Sequence, residues 1–343
     1  MVTHSAEFYK KAPPQKGASS FVYPPTGDNM AFFAEALKAG CLVAIPTETV
    51  YGLAGLALDE TASRSIFEVK GRPLMDPLIL HVANPAMVEQ LADIPAGFSR
   101  LTEAFWPGPL TIILPKKPIV PNLVTAGKPT VAVRMPRHPV AHALLELVGQ
   151  PLAAPSANPF GYVSPSTAQH VTDSFGESVP FIIDGGACEI GLESTILDLS
   201  RPDFPEILRP GAISAEQVGE ILGRPVQVRN KQLNLDQAAT APGTFSKHYS
   251  PKARLSLFGE DENPSPSDNQ AVVYLQRPSS IDDKHAYWLS ENGNMETIAK
   301  SLFALLRQLD AMGYETIACQ KPNPASGGLA HAVADRMQRA AAK

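Results

Sequence analysis

The chain has 343 residues, 44% hydrophobic and 18% charged, a length beyond which single cores stop growing, so two domains are expected. Its net charge of −5 gives no chain-wide signature of nucleic-acid binding but is compatible with a local basic cleft. No apolar run reaches a membrane span, no basic-then-apolar leader opens the chain, and Cys41, Cys188 and Cys319 lie too far apart for a zinc knuckle or disulfide framework; a soluble, cytoplasmic protein with no membrane partner is expected.

In chain order, Met1–Pro25, with Lys10, Lys11 and Lys16 among Pro, Ser and Gly, reads as a loose arm or partial cover, and residues 1–27 form an N-terminal extension. Asp28–Gly40 predicts a helix: Asp28 caps it, Phe32, Phe33, Ala36 and Leu37 give the stripe, and Gly40 stops it. Cys41–Ile45 reads as a buried strand. Further strands are predicted at Leu78–Val82, Leu110–Leu114, Thr130–Met135, Leu152–Ala154, Phe181–Asp184, Thr195–Leu199 and Glu206–Leu208. Helices fit at Ala62–Val69, Phe98–Phe105, Val140–Val148 and Thr167–Phe175, and Ser214 with Gln217 makes a capping box opening a helix to Leu222. Without strict βαβ alternation this predicts an α/β domain over 28–222 with a twisted, mixed, partly antiparallel sheet.

Periodicity fades over 223–255, read as a linker. A strand at Ala271–Leu275, a helix at Met295–Met312, a strand at Thr316–Cys319 and a helix at Leu329–Arg339 then predict a small α/β unit over 256–343. The 33 prolines cluster at the ends of apolar runs, as rigid loop punctuation.

Two spaced pairs carry the chemistry: Lys70 with Arg72, and Ser156 with Asn158. If these Pro-punctuated segments are extended, i and i+2 point the same way and each pair faces one cavity. Two cations with a hydroxyl and an amide suit a polyanion such as a nucleoside triphosphate. Either pair alone is usually surface charge, for Lys-x-Arg, or turn chemistry, for Ser-x-Asn.

The surrounding text is more specific. In order come Pro46-Thr-Glu-Thr-Val-Tyr-Gly-Leu53, Lys70-Gly-Arg-Pro73, Pro77-Leu-Ile-Leu-His81, Trp106-Pro-Gly-Pro-Leu-Thr111, Val133-Arg-Met-Pro136, Ala154-Pro-Ser-Ala-Asn158, Ser164-Pro165, Glu193-Ser-Thr195 and Leu208-Arg-Pro-Gly211. This series resembles the YrdC-domain family of threonylcarbamoyl-AMP synthases, which implies a twisted mixed sheet around a concave cavity, over which Tyr249 of the linker can reach back as a lid. Pro242-Gly-Thr-Phe-Ser-Lys-His-Tyr-Ser-Pro251 and the unit after it resemble the family's long form, whose C-terminal domain is Rossmann-like.

The resemblance implies a nucleotidyltransferase that joins L-threonine, bicarbonate or CO2, and ATP into threonylcarbamoyl-adenylate and pyrophosphate. A threonylcarbamoyl transferase complex then modifies the tRNA adenosine beside the anticodon, and tRNA contact by this chain is at most weak. It further implies Lys70 and Arg72 as the catalytic cations, with Asp76, Thr130, Ser156, Asn158, Ser164, Arg209 and Tyr249 joining them at ATP. Thr49, His81, Arg134, Ala154 (through its backbone) and Ser194 form the implied threonine pocket. Mg²⁺ is expected only on ATP, with no protein metal site. Tyr51 and Trp106 read as packing residues. Asp76 departs from the family, which often has Asn there, and an acid near phosphate needs a donor or a metal. Two alternatives are a duplex-RNA or tRNA-binding module, for which the threonine-pocket residues are superfluous, and a carbamoyl-adenylate-forming maturation factor, for which length and paired cysteines are lacking.

Overall fold

In the computed structural model the residues described are 3–15, 21–229, 241–243, 248–262, 264–280, 283–323 and 327–342. The strands of the first unit are β1 (Val22–Tyr23), β2 (Val43–Ile45), β3 (Gly52–Leu56), β4 (Ile79–His81), β5 (Leu110–Pro115), β6 (Thr130–Arg134), β7 (Leu152–Ala153), β8 (Ile182–Ile183), β9 (Thr195–Asp198), β10 (Glu206–Arg209) and β11 (Gln227–Val228). Among the described residues they form one sheet in the order β1-β8-β2-β3-β7-β4-β6-β5-β9-β10-β11. The sheet is mixed: β4 and β6 run parallel, as do β5 and β9, whereas β3 and β7, β5 and β6, and β9 and β10 are antiparallel.

The helices are α1 (Thr3–Phe8), α2 (Gly27–Lys38), α3 (Glu60–Lys70), α4 (Pro85–Leu91), α5 (Phe98–Phe105), α6 (Pro139–Val148), α7 (Ala168–Phe175), α8 (Ala215–Leu222), α9 (Met295–Ala311) and α10 (Gly328–Ala340). They cover both sheet faces, so β2 shows no polar alternation: Val43 and Ile45 join the α2–α6 core, while Ala44 joins the core on the other face with Ile66, Leu101 and Val218. The second unit is a parallel sheet, β12 (Arg254–Phe258), β13 (Gln270–Gln276), β14 (Ala286–Ser290) and β15 (Thr316–Gln320), ordered β12-β15-β13-β14. The mixed sheet and small parallel α/β unit match the expected fold class.

Several elements differ from their sequence expectation. Thr26, rather than Asp28, caps α2, its hydroxyl accepting from the Asn29 amide, and Asp28 sits in the first turn. The Gly-rich β3 gave no strand signal. Close approach favours its glycines: a Cβ on Gly55 would fall 2.9 Å from a Leu42 side-chain carbon, and one on Gly52 would fall 3.2 Å from the Ala154 Cβ. β11 lies inside the segment read as linker, and β12 begins in its last two residues. The described part of the N-terminal arm is docked: Phe8 packs on Phe32 (5.0 Å), the Leu42 amide donates to the Tyr9 hydroxyl (2.7 Å), and β1 pairs with β8. Residues 16–20, 230–240 and 244–247, parts of the expected arm and linker, lie outside the described residues.

The two units share packing. Val50, Val163 and Leu192 from the first join the α9–α10 core of the second. Gly191 (φ 77°) brings its loop against α9 so closely that a Cβ there would lie 2.7 Å from the Lys300 Cα.

Candidate active site

The site begins at the carboxyl ends of β4 and β6, where His81 and Arg134 are register partners. After β2 the chain turns through Thr47–Val50, held by the Thr47 hydroxyl donating to the Val50 carbonyl (2.6 Å). That turn presents Glu48 and Thr49 to the Arg134 guanidinium, whose Nη2 donates to Glu48 Oε1 (2.7 Å), Nη1 to Thr49 Oγ1 (2.8 Å) and Nε to the Gly108 carbonyl (3.2 Å). Glu48 Oε2 accepts from the Arg137 amide (3.1 Å). Burial pushes the Glu48 carboxyl up, but Arg134 and these hydrogen bonds prevail and hold it below its ordinary range. Burial, seconded by Arg134, lowers His81 to about 3. His81 is therefore a neutral ring whose buried Nδ1 has no partner among the described residues.

Lys70 and Arg72 do not lie in an extended segment. Lys70 ends α3, and Gly71, at φ 61°, turns the chain left-handed before Arg72. The two cations therefore diverge. Lys70 Nζ donates to the carbonyls of Ser156 (2.6 Å) and Asn158, and burial with Arg72 nearby drives its pKa well below the ordinary lysine value. Arg72 reaches forward, donating to the Asp76 carbonyl (3.1 Å) and the Pro77 carbonyl (2.7 Å), with Nη2 also 2.9 Å from Asp76 Oδ2. Asp76 thus has its cation. Its carboxylate oxygens accept no aligned hydrogen bond among the described residues, and burial outweighs Arg72, Lys70 and Arg209 to raise it to about 6.

The far wall comes from β9, β10 and their flanks. Arg209 donates to the Ser194 carbonyl through Nε (3.1 Å) and Nη2 (3.0 Å), to Ser194 Oγ (3.2 Å) and to the Pro242 carbonyl (3.1 Å). These partners are all neutral. Ser194 Oγ also lies 2.7 Å from the Thr111 hydroxyl. Glu193 accepts from the Ser164 hydroxyl on one oxygen and from Arg336 Nε on the other (2.8 Å). Tyr249, at φ 62°, stacks on Phe303 of α9 (ring centroids 5.5 Å apart), and the Arg336 guanidinium lies 5.1 Å from its ring.

One cleft is lined by Thr49, Arg72, His81, Arg134, Ala154, Ser156, Ser194, Arg209 and Tyr249 from the predicted set. Lys70 and Asp76 are buried behind its wall, and Ser164 faces Glu193. Asn158 turns away, its amide donating to the Pro159 and Tyr162 carbonyls, so the paired presentation expected of Ser156 and Asn158 does not occur. Thr130 lies at the opposite end of β6 from Arg134, about 13 Å along the strand, in a separate pocket with Thr125 and Lys128. Tyr51 and Trp106 are packing residues, with the Tyr51 hydroxyl donating to Gly186 and the Trp106 ring N–H to Leu110.

Thr47, Glu193, His248 and the Pro242–Gly243 pair also line the cleft, and Glu48 is buried just behind it on Arg134, but none of these was singled out. Glu48 and Glu193 each stand directly before a predicted pocket residue, and a pocket carboxylate beside a required arginine was the available signal. Arg336 had none: it is a helix residue far along the chain with no exposed surface.

The family model described as telomere recombination matches residues 35–211, and one described as threonylcarbamoyl-AMP synthase, C-terminal domain, matches 213–342. A threonylcarbamoyl-AMP synthase of Pyrococcus abyssi is 39% identical over 321 residues, covering 89% of this chain and 91% of the relative. The Bacillus subtilis protein of that name is 36% identical, covering 90% and 91%. The crystal structure of P. abyssi Sua5 complexed with L-threonine superposes with a TM-score of 0.82 at 38% identity, covering 91% of this chain and 94% of that one. These matches span both units, and the chain belongs to the threonylcarbamoyl-AMP synthase family.

Proposed function

We propose that the chain forms L-threonylcarbamoyl-adenylate and pyrophosphate from L-threonine, bicarbonate or CO2, and ATP. The observation that carries this reading is one cleft with two cationic ends. Arg134, with Thr49 and His81, stands at β6, and Arg209 stands three strands along the sheet, about 14 Å at ordinary strand spacing. The Arg134 fork suits a carboxylate, and Arg72 and Arg209 suit phosphates. The threonine amine adds to CO2, losing a proton, and the carbamate oxygen attacks the α-phosphorus as pyrophosphate leaves. No protein nucleophile is needed, so catalysis is orientation and charge neutralisation. Thr49, His81, Arg134 and Ser194 are each buried, which supports a small ligand over a duplex RNA.

Among the described residues no three His, Cys, Asp or Glu side chains cluster as a metal site, and the cleft's carboxylates are paired with arginines. We assign Mg²⁺ to ATP as part of the substrate. The product is a mixed anhydride enclosed with the reacting groups, so its transfer to the adenosine beside the tRNA anticodon falls to a separate transferase. Among the described residues no helix is long and apolar enough to cross a membrane.

Pyrophosphate release is expected to require both L-threonine and bicarbonate. Equally fast release without threonine would overturn the assignment.

A further inference from the structure

We propose that Arg336, on the closing helix α10, is a positioning residue for the cleft: it occupies Glu193, so that Arg209 keeps its charge for the ligand's phosphates. This rests on the assignment of that end of the cleft to ATP.

Arg336 belongs to the second unit, yet it is 0% exposed and reaches three segments of the cleft wall. Nε donates to Glu193 Oε2 (2.8 Å), Nη2 to the Pro210 carbonyl (2.9 Å), and its guanidinium lies 5.1 Å from the Tyr249 ring. Nη1 donates to Asp335 Oδ2 (2.6 Å), and Asp335 also pairs with Arg339. The Ser164 side of Glu193 is held from the same unit: Arg307 of α9 donates to the carbonyls of Val163 and Ser164, to that of His170 and to the Ser174 hydroxyl.

Charge matching around the cleft gives Arg336 its purpose. Glu48 is matched by Arg134, Asp76 by Arg72 and Glu193 by Arg336. Arg209 has only carbonyl and hydroxyl partners among the described residues, although it is bonded to Ser194, directly beside Glu193. Without Arg336, the Glu193 carboxylate is buried and unpaired, and Arg209 is the adjacent cation able to answer it. An arginine captured by a carboxylate is lost to phosphate. The C-terminal unit thereby sets the charge that the catalytic unit offers to ATP.

The test is a cycle of full-length variants, Arg336→Met, Glu193→Gln and the double variant, read as KM for ATP and for threonine in pyrophosphate release at a temperature where each is folded. Arg336→Met should raise the ATP KM about tenfold or more, with the threonine KM changed by less than about twofold. In the Glu193→Gln background the same substitution should change the ATP KM by less than about threefold, because no carboxylate remains to capture Arg209. Arg336→Lys, which keeps the charge but not the forked contact, should fall between wild type and Arg336→Met. An unchanged ATP KM in folded Arg336→Met, or a penalty just as large in the Glu193→Gln background, overturns the proposal. If Arg336→Met does not fold, the Arg336→Lys variant and the paired comparison in the Glu193→Gln background decide it. A wild-type enzyme lacking threonine-dependent pyrophosphate release overturns the ATP assignment itself, a result distinct from an active wild type with an indifferent Arg336.

Discussion

Arg209→Ala is expected to lower kcat/KM for ATP by about 10²–10³-fold, the cost of removing one preorganised donor from a site of developing charge. Its fold should survive. Arg209 has carbonyl and hydroxyl partners, so its removal strands no carboxylate, and the unmet acceptors cost about 1–3 kcal/mol. Burial lowers the Arg209 pKa, an unfavourable state that bound phosphate relieves. Steady-state kinetics beside a thermal melt checks both halves. A near-normal ATP response in the folded variant would remove Arg209 from the phosphate end.

Arg134→Ala should behave differently because its partner is charged. Removing it leaves Glu48 buried and unpaired, a loss of about 3–5 kcal/mol for a broken buried ion pair. The threonine KM should rise about 100-fold, equivalent to the upper part of the roughly 1.5–3 kcal/mol range for hydrogen bonds to charged groups. The two effects separate on adding Glu48→Gln, which removes the stranded charge: stability should return while threonine affinity does not. If affinity returns with stability, Arg134 supports the fold and does not hold the carboxylate. A rise in the ATP KM alone would place Arg134 at the wrong end of the cleft.

The strands were readable in sequence because both sheet faces are covered. Runs such as Leu110–Leu114 and Phe181–Asp184 are apolar without alternation, and β5 and β8 form within or across them. The capping box at Ser214 and Gln217 is a local signal and forms as written. β3 was hidden because its sequence answers to neighbours: glycine there makes room for Leu42 and Ala154. At the site, spacing located the right segments but misjudged their geometry. One left-handed glycine, Gly71, turns Lys70 and Arg72 apart, and an extended-chain argument cannot see it. The partner of Glu193 was hidden for a different reason: its cation arrives from 143 residues later in the chain, and no local pattern records such a pairing.

The close approach of Gly191 to α9 limits how this protein can be recombined. A chimera joining its first 222 residues to a relative's C-terminal half must reproduce the helix backbone at Lys300 to within the space of a missing methyl group. Agreement in sheet order or core composition is not enough, because the contact is set by main chain on both sides and cannot be repaired by exchanging rotamers. The two halves are therefore inherited as a matched pair, and recombination between distant relatives at the linker should yield chains whose halves each form but seat poorly against one another.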